Sequence, residues 1–527
     1  MITSKNYIGF EESREGKTTF RTFNPKLNTE TDFQFTQATP TEVDLAVAKA
    51  KKAFGLYKNT SGAQRGAFLR AIAGEIENLG DELLQTYVAE SGLPAGRAQG
   101  ERGRTVGQLR LFAKVAEEGN WLGATIDTAQ PGRQPLPKND LRKMNVPLGP
   151  IVVFGASNFP LAFSTAGGDT ASALAAGCPV IVKAHPMHTA TSAMVASAVI
   201  KAAEKCDMPD GVFSHLNATD LSVGEQLVKH PDVKGVGFTG SMNGGLALAK
   251  IAGERKIPIP VFAEMGSINP VVILPNAISK KGEEWAKKYA GSINLGSGQF
   301  CTNPGLLVAI ESSGLDVFAN QLSQELTAQQ ATCMLHPKIA QAYAKGSRKM
   351  LDEAGVETLA LELGNSGENF GNPAFVKVSG ARFLENKNLH QEVFGPFSML
   401  VVCKDEYEMA EILSGLEGQL TGTILAEADE AANYPEVVEA LQSRVGRLIF
   451  NGVPTGVEVC PSMHHGGPFP ATSDSRFTSV GTHAIKRWAR PVAFQDWPAA
   501  MLPDALKDEN PLKIIREVDG VFTHASV

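Results

Sequence analysis

The strongest constraint on the fold is an alternation of short apolar runs with helical segments that begins near residue 150. Ile151–Phe154 and Pro179–Lys183 are apolar runs separated by a small-residue helical segment at 161–176. The alternation continues with helices expected near 189–205, 221–229 and 243–253 and strands near 212–216 and 235–239. Because parallel strands need crossover helices, the pattern predicts a doubly wound α/β sheet of the dinucleotide-binding type.

Two further regions flank this one. Apolar residues at helical spacing predict helices over 42–56, 63–90 and 99–118. A second alternating region runs from about 262 to 480, with strands expected at 270–274, 305–310, 398–402, 421–425 and 447–450. A Pro/Gly-rich stretch over 131–137 precedes a short strand candidate near 142–147, and the piece after Arg490 is punctuated by prolines.

Composition excludes several classes of protein. The 527 residues allow two or three domains, and a net charge of -7 without a basic tract argues against nucleic-acid binding. The N-terminal residues lack the pattern of a secretory signal, and no apolar run is long enough for a membrane span. The six cysteines are widely spaced without a CxxC pair, so we expect a reducing cytoplasm and no resident metal.

The most informative residue is Cys301, in a glycine-rich segment with Gly298. Glu264 lies 37 positions earlier, at the end of an apolar, strand-like run. A thiol can add to a carbonyl, and a carboxylate can later activate water against the resulting thioester. This pair therefore indicates covalent oxidation of an aldehyde. For Cys178, Cys206 and Cys403 we favour a small buried apolar role, and Cys333 and Cys460 stay open.

Four motifs follow strands and are individually weak. Asn158, before Phe159, can offer an amide to a cleft, although alone it better fits a turn or an N-cap. Lys183 can bind ribose or a 2′-phosphate, or it can be a solvated surface lysine. Taken alone, the residue favours neither interpretation. Gly240, Ser241 and Gly245 form a turn into a helix, whose amides attract pyrophosphate. Glu392, next to Val393 and Phe394, can hold a ribose but alone fits an exposed loop.

Taken together in chain order, the motifs around these residues resemble those of the aldehyde dehydrogenase superfamily. The resemblance extends over nearly the whole chain. The resemblance rests on five motifs, Asn158-Phe159-Pro160, Phe238-Thr239-Gly240-Ser241, Glu264-Met265-Gly266, Gly298-Gln299-Phe300-Cys301 and Glu392-Val393-Phe394-Gly395-Pro396. Further stretches, among them 154–164, 166–174, 108–113 and 450–459, look similar to the NADP-dependent branch that contains α-ketoglutaric semialdehyde (2,5-dioxovalerate) and long-chain fatty aldehyde dehydrogenases.

The resemblance implies roles by position. Cys301 becomes the nucleophile, Asn158 and the Cys301 N–H form the oxyanion hole, and Glu264 is the base for deacylation. The implied coenzyme contacts are Lys183, Gly240, Ser241, Gly245, Glu392 and Phe394. The implied fold has a Rossmann-type cofactor domain over 1–130 and 150–262, an α/β catalytic domain over 263–482, and an oligomerisation element from 131–149 and 483–527. A homodimer or homotetramer follows by the same analogy.

The sequence departs from the family pattern after Lys183. Where a glutamate commonly favours the free 2′-hydroxyl of NAD, this chain has Lys183-Ala184-His185-Pro186. The absent glutamate, with His185 as a donor, favours NADP, although NAD is possible. Two other departures are Ala156-Ser157 before Asn158 and Met265-Gly266-Ser267 after Glu264.

The sequence therefore predicts NAD(P)-dependent oxidation of a small ω-oxo acid aldehyde, α-ketoglutaric semialdehyde, to 2-oxoglutarate. Arg104 can pair the distal carboxylate, with Phe159 and Phe163 as further substrate contacts, although a surface ion pair is the commoner role for such an arginine. A long-chain aldehyde is the alternative substrate. A coenzyme A-acylating enzyme, which needs no Glu264, and an inactive binding protein on the same fold are the alternatives of other classes.

Overall fold

The computed structural model describes residues 4–361 and 367–527. In that part of the chain the α-helices span Pro40–Tyr57, Gly62–Asn78, Gly80–Ser91, Ala95–Glu118, Gly168–Ala176, Thr189–Lys205, Ser222–Lys229, Met242–Gly253, Pro275–Asn294, Ser313–Thr327, Pro337–Leu351, Gly380–Glu385, Glu406–Ser414 and Pro435–Gln442. Within the same residues, each helix is too short or too polar to cross a bilayer.

The first sheet carries the predicted parallel strands. Its spatial order is Val261–Glu264, Gly235–Thr239, Ile151–Phe154, Val180–Lys183, Phe213–Leu216, Asn6–Ile8 and Glu11–Ser13. The first five strands are parallel, and the two N-terminal strands add an antiparallel edge. Chain order reverses on either side of Ile151–Phe154, which creates a crevice beyond the carboxyl end of that strand. The α/β fold class is confirmed.

The second sheet is also mainly parallel. Its spatial order is Glu357–Leu361, Ala374–Ser379, Phe397–Cys403, Leu306–Ile310, Val271–Ile273, Gln419–Leu425 and Val445–Phe450, with Glu357–Leu361 antiparallel to its neighbour. Buried apolar clusters cover both of its faces. Its central strands therefore read as continuous apolar runs, which explains why the sequence located them well.

A small third sheet joins distant parts of the chain. Its order is Ala489–Gln495, Leu141–Pro147, Thr125–Asp127, Arg516–Val518 and Val521–Thr523. Ile126, Leu506 and Ile514 are among the buried residues of its own small core. Thr125–Asp127 falls in the segment expected to belong to the cofactor domain, so we propose a boundary before Thr125. The rest of the domain division stays a prediction. Two further antiparallel pairs complete the strands of the described residues. They are a hairpin of Thr19–Asn24 with Thr29–Thr36, and a pairing of Thr332–Cys333 with Phe370–Gly371.

Two helix predictions were wrong in extent. The helix expected over 63–90 is two helices, because Gly80 adopts a left-handed φ of +59°. The helix expected over 161–176 begins only at Gly168. Before it the backbone turns on itself, since a Cβ on Gly167 would lie 2.4 Å from the Ala162 carbonyl oxygen. This irregular segment carries Phe159 and Phe163 to the site.

Candidate active site

Cys301 lies on a tight loop between the helix Pro275–Asn294 and the strand Leu306–Ile310. Gly298 has a left-handed φ of +65°, and a Cβ there would lie 2.2 Å from the carbonyl carbon of Gly395. A side chain at residue 298 would therefore push the cysteine loop away from the Glu392–Pro396 segment. The Asn269 amide donates to the Cys301 carbonyl oxygen over 2.9 Å and fixes the loop from the other side. Cys301 itself is half-buried.

Glu264 reaches the same place from the first sheet. It ends the strand Val261–Glu264, level with Thr239 on the neighbouring strand. Its backbone accepts a hydrogen bond from Gly240 N over 3.0 Å, and Met265 N donates to Ala471 O over 2.8 Å. The carboxylate is thus fixed at the seam between the cofactor strands and the segment 465–479. The structure brings Cys301 and Glu264 together, as the sequence predicted.

A third group, His465, lies between them. Its Nε2 is 3.5 Å from Cys301 Sγ and 3.0 Å from Glu264 Oε1. The side chains of His465 and Glu264 are 1% and 3% exposed, so both interactions are shielded from water. Ser479 Oγ donates to Glu264 Oε2 over 2.5 Å, and Thr478 Oγ1 accepts from His465 N over 2.8 Å. Both contacts of the imidazole are made by Nε2, so this nitrogen can either accept the thiol proton or, once protonated, donate to the carboxylate.

The electrostatics of the cluster set its resting state. Burial, together with the adjacent Glu264 carboxylate, raises the pKa of the Cys301 thiol well above its ordinary value, and the Arg104 charge opposes this shift. Burial would also raise the pKa of Glu264, but the neighbouring His465 imidazole and the hydrogen bond from Ser479 outweigh it and lower that pKa. At rest the cluster therefore holds a protonated thiol beside an ionised carboxylate.

Asn158 lies just beyond the carboxyl end of the strand Ile151–Phe154, next to the cysteine loop. Its Nδ2 donates to the Gln299 carbonyl oxygen over 3.1 Å. Because an amide nitrogen carries two hydrogens, one donor is left for another acceptor. Asn158 is buried and is tied to the residue two positions before Cys301. The predicted proximity of Asn158 to the cysteine loop is therefore present.

Aromatic rings form a collar beside the thiol. The Phe159 ring centre lies 5.4 Å from that of Phe163 and 5.5 Å from that of Phe300, and the Phe163 centre lies 6.5 Å from the His465 ring. All three phenylalanines are buried in one cluster. Water is therefore largely excluded from the side of the thiol that faces this collar.

Two guanidinium groups from the helix Ala95–Glu118 lie against the collar. Arg97 lies 4.4 Å from the Phe159 ring centre and 4.6 Å from that of Phe300. Arg104 lies 5.7 Å from the Phe159 centre and 5.1 Å from the Phe163 centre. Within the described residues, the buried Nε and Nη2 of Arg104 have no hydrogen-bond partner. Among the described residues Arg104 makes no ion pair, so the structure does not show the surface ion pair considered for it.

Glu101 binds both the backbone that carries the collar and the side chain of Arg97. Its Oε1 accepts from Leu161 N over 2.8 Å and from Ala162 N over 3.0 Å. Its Oε2 accepts from Tyr87 Oη over 2.7 Å and from Arg97 Nε over 3.3 Å. Since these four donors use the carboxylate, Glu101 leaves Arg104 free to face another anion.

Lys183 and His185 lie at the carboxyl edge of the first sheet. Lys183 is level with Phe154 and Leu216 on its two neighbouring strands. Burial lowers the pKa of Lys183 to about 8, with the nearby Asp220 opposing the shift. The His185 ring stacks on His188 at 5.2 Å, and its Nδ1 accepts from Met187 N over 3.3 Å. Burial and neighbouring positive charge lower the pKa of His185, so the neutral ring donates through Nε2.

The glycine-rich turn opens the helix Met242–Gly253. Ser241 is its N-cap and accepts from Gly244 N over 3.2 Å. A Cβ on Gly245 would lie 2.7 Å from Met265 Sδ and 3.2 Å from Ala263 Cβ. A Cβ on Gly240 would lie 2.7 Å from Phe238 Cζ. Glycine at 245 lets the helix pack on the strand that carries Glu264, and glycine at 240 leaves room for the Phe238 ring, with the helix N-terminus at the crevice.

Glu392 and Phe394 line a cleft on the other side of the cysteine loop, together with Ser267, Gly298 and Phe300. A Cβ on Gly266 would lie 2.4 Å from Glu392 Oε2. This carboxylate therefore lies directly over the backbone that follows Glu264. The side chain is exposed, so it remains accessible to a ligand in the cleft.

The sequence interpretation missed His465, Ser479 and Glu101. His465 is 164 residues from Cys301, in an irregular segment without periodicity, and a pair of adjacent histidines before two glycines was the available signal. Glu101 occupies a helix position where a solvent-exposed glutamate is ordinary. Only the three-dimensional packing distinguishes these residues from surface polar residues.

The comparison with known families decides the identity of this fold and site. The model of the aldehyde dehydrogenase family matches residues 10–469. The chain belongs to the aldehyde dehydrogenase family. The family resemblance inferred from the motifs is confirmed, and the enzyme oxidises an aldehyde.

Curated relatives cover almost the whole chain. It is 49% identical over 520 residues to α-ketoglutaric semialdehyde dehydrogenase 2 of Azospirillum brasilense, covering 98% of this chain and 99% of the relative. It is 45% identical over 520 residues to α-ketoglutaric semialdehyde dehydrogenase of Acinetobacter baylyi, covering 98% of both.

Solved structures share the fold at low identity. A 1-pyrroline-5-carboxylate dehydrogenase from Thermus with bound NAD superposes with a TM-score of 0.78 at 20% identity, covering 93% of this chain and 92% of that one. A Staphylococcus aureus betaine aldehyde dehydrogenase in complex with NAD⁺ gives 0.80 at 18% identity, covering 94% and 98%. Both of those proteins hold NAD, and their likeness to this chain shows the shared fold.

Proposed function

We propose that this aldehyde dehydrogenase oxidises α-ketoglutaric semialdehyde to 2-oxoglutarate through a thioester on Cys301, with NADP as the preferred coenzyme. The observation that carries the substrate assignment is the partly buried guanidinium of Arg104, whose buried Nε and Nη2 have no hydrogen-bond partner among the described residues. The names of the two relatives at 45% and 49% identity support the same substrate.

An unpaired buried charge is costly unless a ligand compensates it. Arg104 lies 5.1 Å from the Phe163 ring centre, and its charge acts on the Cys301 thiol. A substrate with a carboxylate at the end distal to its aldehyde satisfies both groups at once, because the guanidinium fork suits bidentate recognition of carboxylate. A long-chain aldehyde would fit the aromatic collar but would leave the charge unpaired, which argues against that alternative.

We infer that His465 removes the thiol proton as Cys301 attacks the aldehyde carbon. The distance of 3.5 Å between Nε2 and Sγ is within the range of a sulfur hydrogen bond. Because burial and Glu264 disfavour a free thiolate, the thiol needs a neighbouring base at neutral pH. The Glu264 carboxylate, 3.0 Å from the same nitrogen, stabilises the imidazolium that forms.

The attack creates an oxyanion on the former aldehyde carbon. The second hydrogen of Asn158 Nδ2 and the Cys301 N–H are the donors proposed to bind it. Removing one such donor costs about 3 kcal/mol of transition-state stabilisation in other enzymes. The existing bond from Asn158 to the Gln299 carbonyl oxygen fixes the amide before substrate arrives. Hydride leaves this intermediate, and the carbon becomes a thioester on Cys301.

Deacylation requires a base for water. Glu264 fits this task, because its carboxylate is ionised, is held by Ser479 and His465, and belongs to the same cluster as the thiol. The water proton passes to the carboxylate, the hydroxide adds to the thioester carbon, and the acid leaves with return of the thiol. A coenzyme A-acylating enzyme needs no such group, so the placement of Glu264 supports hydrolysis.

The residues at the sheet edge fit a nicotinamide dinucleotide. The N-terminus of Met242–Gly253 offers amides to a pyrophosphate, and glycine at 245 lets this helix pack closely on Met265 and Ala263. When bound, the coenzyme supplies the hydride acceptor. Glu392, beside Phe394, would hold the nicotinamide ribose, and Lys183 and His185 would hold the adenosine ribose and its 2′-phosphate. No carboxylate follows Lys183 along the chain before His188, which favours NADP.

The assembly and the location are also proposals. Leu448 and Phe450 are 43% and 52% exposed on Val445–Phe450, an edge strand of the catalytic sheet. An exposed apolar edge strand invites pairing with a second copy, so we propose a homodimer or homotetramer. Light scattering after gel filtration tests this, and a monomer would contradict it. A cytoplasmic location stays a prediction.

The substrate proposal is tested by comparing kcat/KM for α-ketoglutaric semialdehyde, glutaraldehyde and decanal, each with NADP and with NAD. We expect the oxo acid with NADP to give the highest value and turnover to proceed without coenzyme A. A dominant preference for decanal would exclude the oxo-acid substrate. A requirement for coenzyme A would exclude hydrolytic release.

A further inference from the structure

The Cys301, His465 and Glu264 side chains form a geometry that oxidation of an aldehyde does not require. Their ligand atoms, Sγ, Nε2 and a carboxylate oxygen, all lie within 4.8 Å of one another. These are the three ligand types that zinc takes in proteins. We propose that the resting active site also binds a thiophilic divalent cation, Zn²⁺ or its analogues, as a reversible inhibitor.

The distances agree with tetrahedral coordination. Zinc–sulfur and zinc–nitrogen bonds of about 2.3 and 2.05 Å at a tetrahedral angle separate the two ligand atoms by about 3.6 Å. The observed separation of Cys301 Sγ and His465 Nε2 is 3.5 Å. For nitrogen and oxygen ligands the same geometry gives about 3.3 Å, against 3.0 Å between His465 and Glu264. The third pair, Cys301 Sγ and a Glu264 oxygen, lies within 4.8 Å, against about 3.6 Å for tetrahedral ligands, so side-chain shifts of at most about 1 Å admit the ion.

The neighbouring residues support three ligands and leave a fourth position open. Ser479 orients the Glu264 carboxylate, and Thr478 fixes the backbone of His465. Binding replaces the proton of the Cys301 thiol, which is released to solvent, and uses the thiolate, the neutral imidazole and the carboxylate. Two ligand charges then balance the charge of the ion. The fourth position is left for water, as in three-ligand zinc sites.

The same surroundings predict a labile site. In the described part of the chain, His465 Nδ1 has no hydrogen-bond partner, whereas histidines that bind metals tightly usually donate from their second nitrogen. The Arg104 charge, which acts on Cys301, also opposes a cation. We therefore expect chelators to remove the ion. Mg²⁺ and Ca²⁺ should not compete, because they prefer oxygen ligands.

Direct binding is measured on the full-length enzyme without coenzyme by titration with Co²⁺. We expect one equivalent to bind and to produce a near-ultraviolet thiolate-to-cobalt charge-transfer band, which Zn²⁺ abolishes by displacement. Cys301→Ala should remove the band, and His465→Phe and Glu264→Gln should weaken binding at least about tenfold. His464→Phe and Cys460→Ala are matched controls and should bind as the unmodified enzyme does. Circular dichroism checks that each variant is folded.

A second measurement needs no variant. Zn²⁺ should slow alkylation of Cys301 by iodoacetamide, followed by mass spectrometry of the peptide, and EDTA should restore it. Where dehydrogenase activity is present, Zn²⁺ should inhibit competitively with the aldehyde. The proposal is overturned if Zn²⁺ leaves Cys301 alkylation unchanged, or if His464→Phe weakens Co²⁺ binding as much as His465→Phe does. Both readouts are independent of turnover, so an error in the proposed substrate would leave them unaffected.

Discussion

His465 Nε2 lies 3.0 Å from Glu264 Oε1, with both side chains almost completely buried. The same nitrogen lies 3.5 Å from the Cys301 Sγ, so it is shared between the carboxylate and the thiol. In this arrangement the base for the first step and the base for the last step are adjacent. Substitution of each residue should therefore impair a different phase of the reaction.

Substitution of His465 by Phe should slow formation of the covalent intermediate. A positioned general base contributes about 10²–10⁴-fold, so we expect the burst rate to fall by about 100-fold. Because burial and Glu264 keep the thiol protonated, part of the loss should be recovered as pH rises and hydroxide replaces the missing base. Stopped-flow absorbance of the reduced coenzyme between pH 6 and 10 measures this.

The adjacent His464 provides the control for that experiment. It is half-buried beside Gly466, and its substitution by Phe should leave the burst rate within about twofold of the unmodified enzyme. Equal losses in the two variants would indicate a disturbed loop in place of a missing base.

Substitution of Glu264 by Gln should separate the two phases. The thiol can still attack and transfer hydride, so a burst of about one NADPH per active site should remain. Steady turnover should fall by about 10²-fold or more, since water lacks its base. Cys301→Ala should show neither phase. Full steady turnover in Glu264→Gln would rule out its assigned role.

Much of the fold followed from the sequence, for a physical reason. Strands of the two parallel sheets are buried on both faces, so Val180–Lys183 and Leu306–Ile310 appear as uninterrupted apolar runs between helices. The break at Gly80 and the irregular segment before Gly168 were less visible. In both places a single backbone turn overrides good local helix propensity, and composition does not reveal such turns.

The residues of the candidate site also form two groups, those that local sequence motifs predicted and those that no local motif predicted. Cys301, Glu264 and Asn158 belong to short motifs with local signatures, so they were identified before the fold was known. His465 and Glu101 act through contacts made across 164 and about 60 residues of chain. Their chemistry depends on which elements the sheet brings together, and no local pattern records that.

NADP binding should depend on the charge of Lys183. Burial lowers the pKa of Lys183 to about 8 in the free enzyme, so the side chain is charged below that pH and neutral above it. The affinity for NADP should therefore fall as pH rises from about 7 to about 9.5, while that for NAD changes less. Fluorescence titration of both coenzymes measures the difference.

Two substitutions test the origin of that pH dependence. Lys183→Met should weaken NADP binding by about 1.5–3 kcal/mol, or roughly 10- to 150-fold. The same substitution should abolish the pH dependence of NADP affinity. Lys183→Arg keeps its charge across this range and should retain NADP binding at high pH. An unchanged NADP affinity in Lys183→Met would place the 2′-phosphate elsewhere.

Arg104→Met should reverse substrate preference. Loss of the guanidinium leaves the distal carboxylate of α-ketoglutaric semialdehyde unpaired beside Phe159 and Phe163, and we expect kcat/KM for it to fall by about 100-fold. Decanal should be oxidised equally well or better, because the collar becomes wholly apolar. Arg104→Lys should recover only part of the loss, since an ammonium lacks the bidentate fork.

The matched control lies two turns further along the same helix. Arg110 pairs with Glu77 at the surface, so Arg110→Met should leave kcat/KM unchanged for both substrates. Parallel losses for the oxo acid and decanal in Arg104→Met would mean that Arg104 only supports the collar. A fall in kcat/KM confined to the oxo acid would mean that the enzyme recognises the distal carboxylate of its substrate through the charge of Arg104.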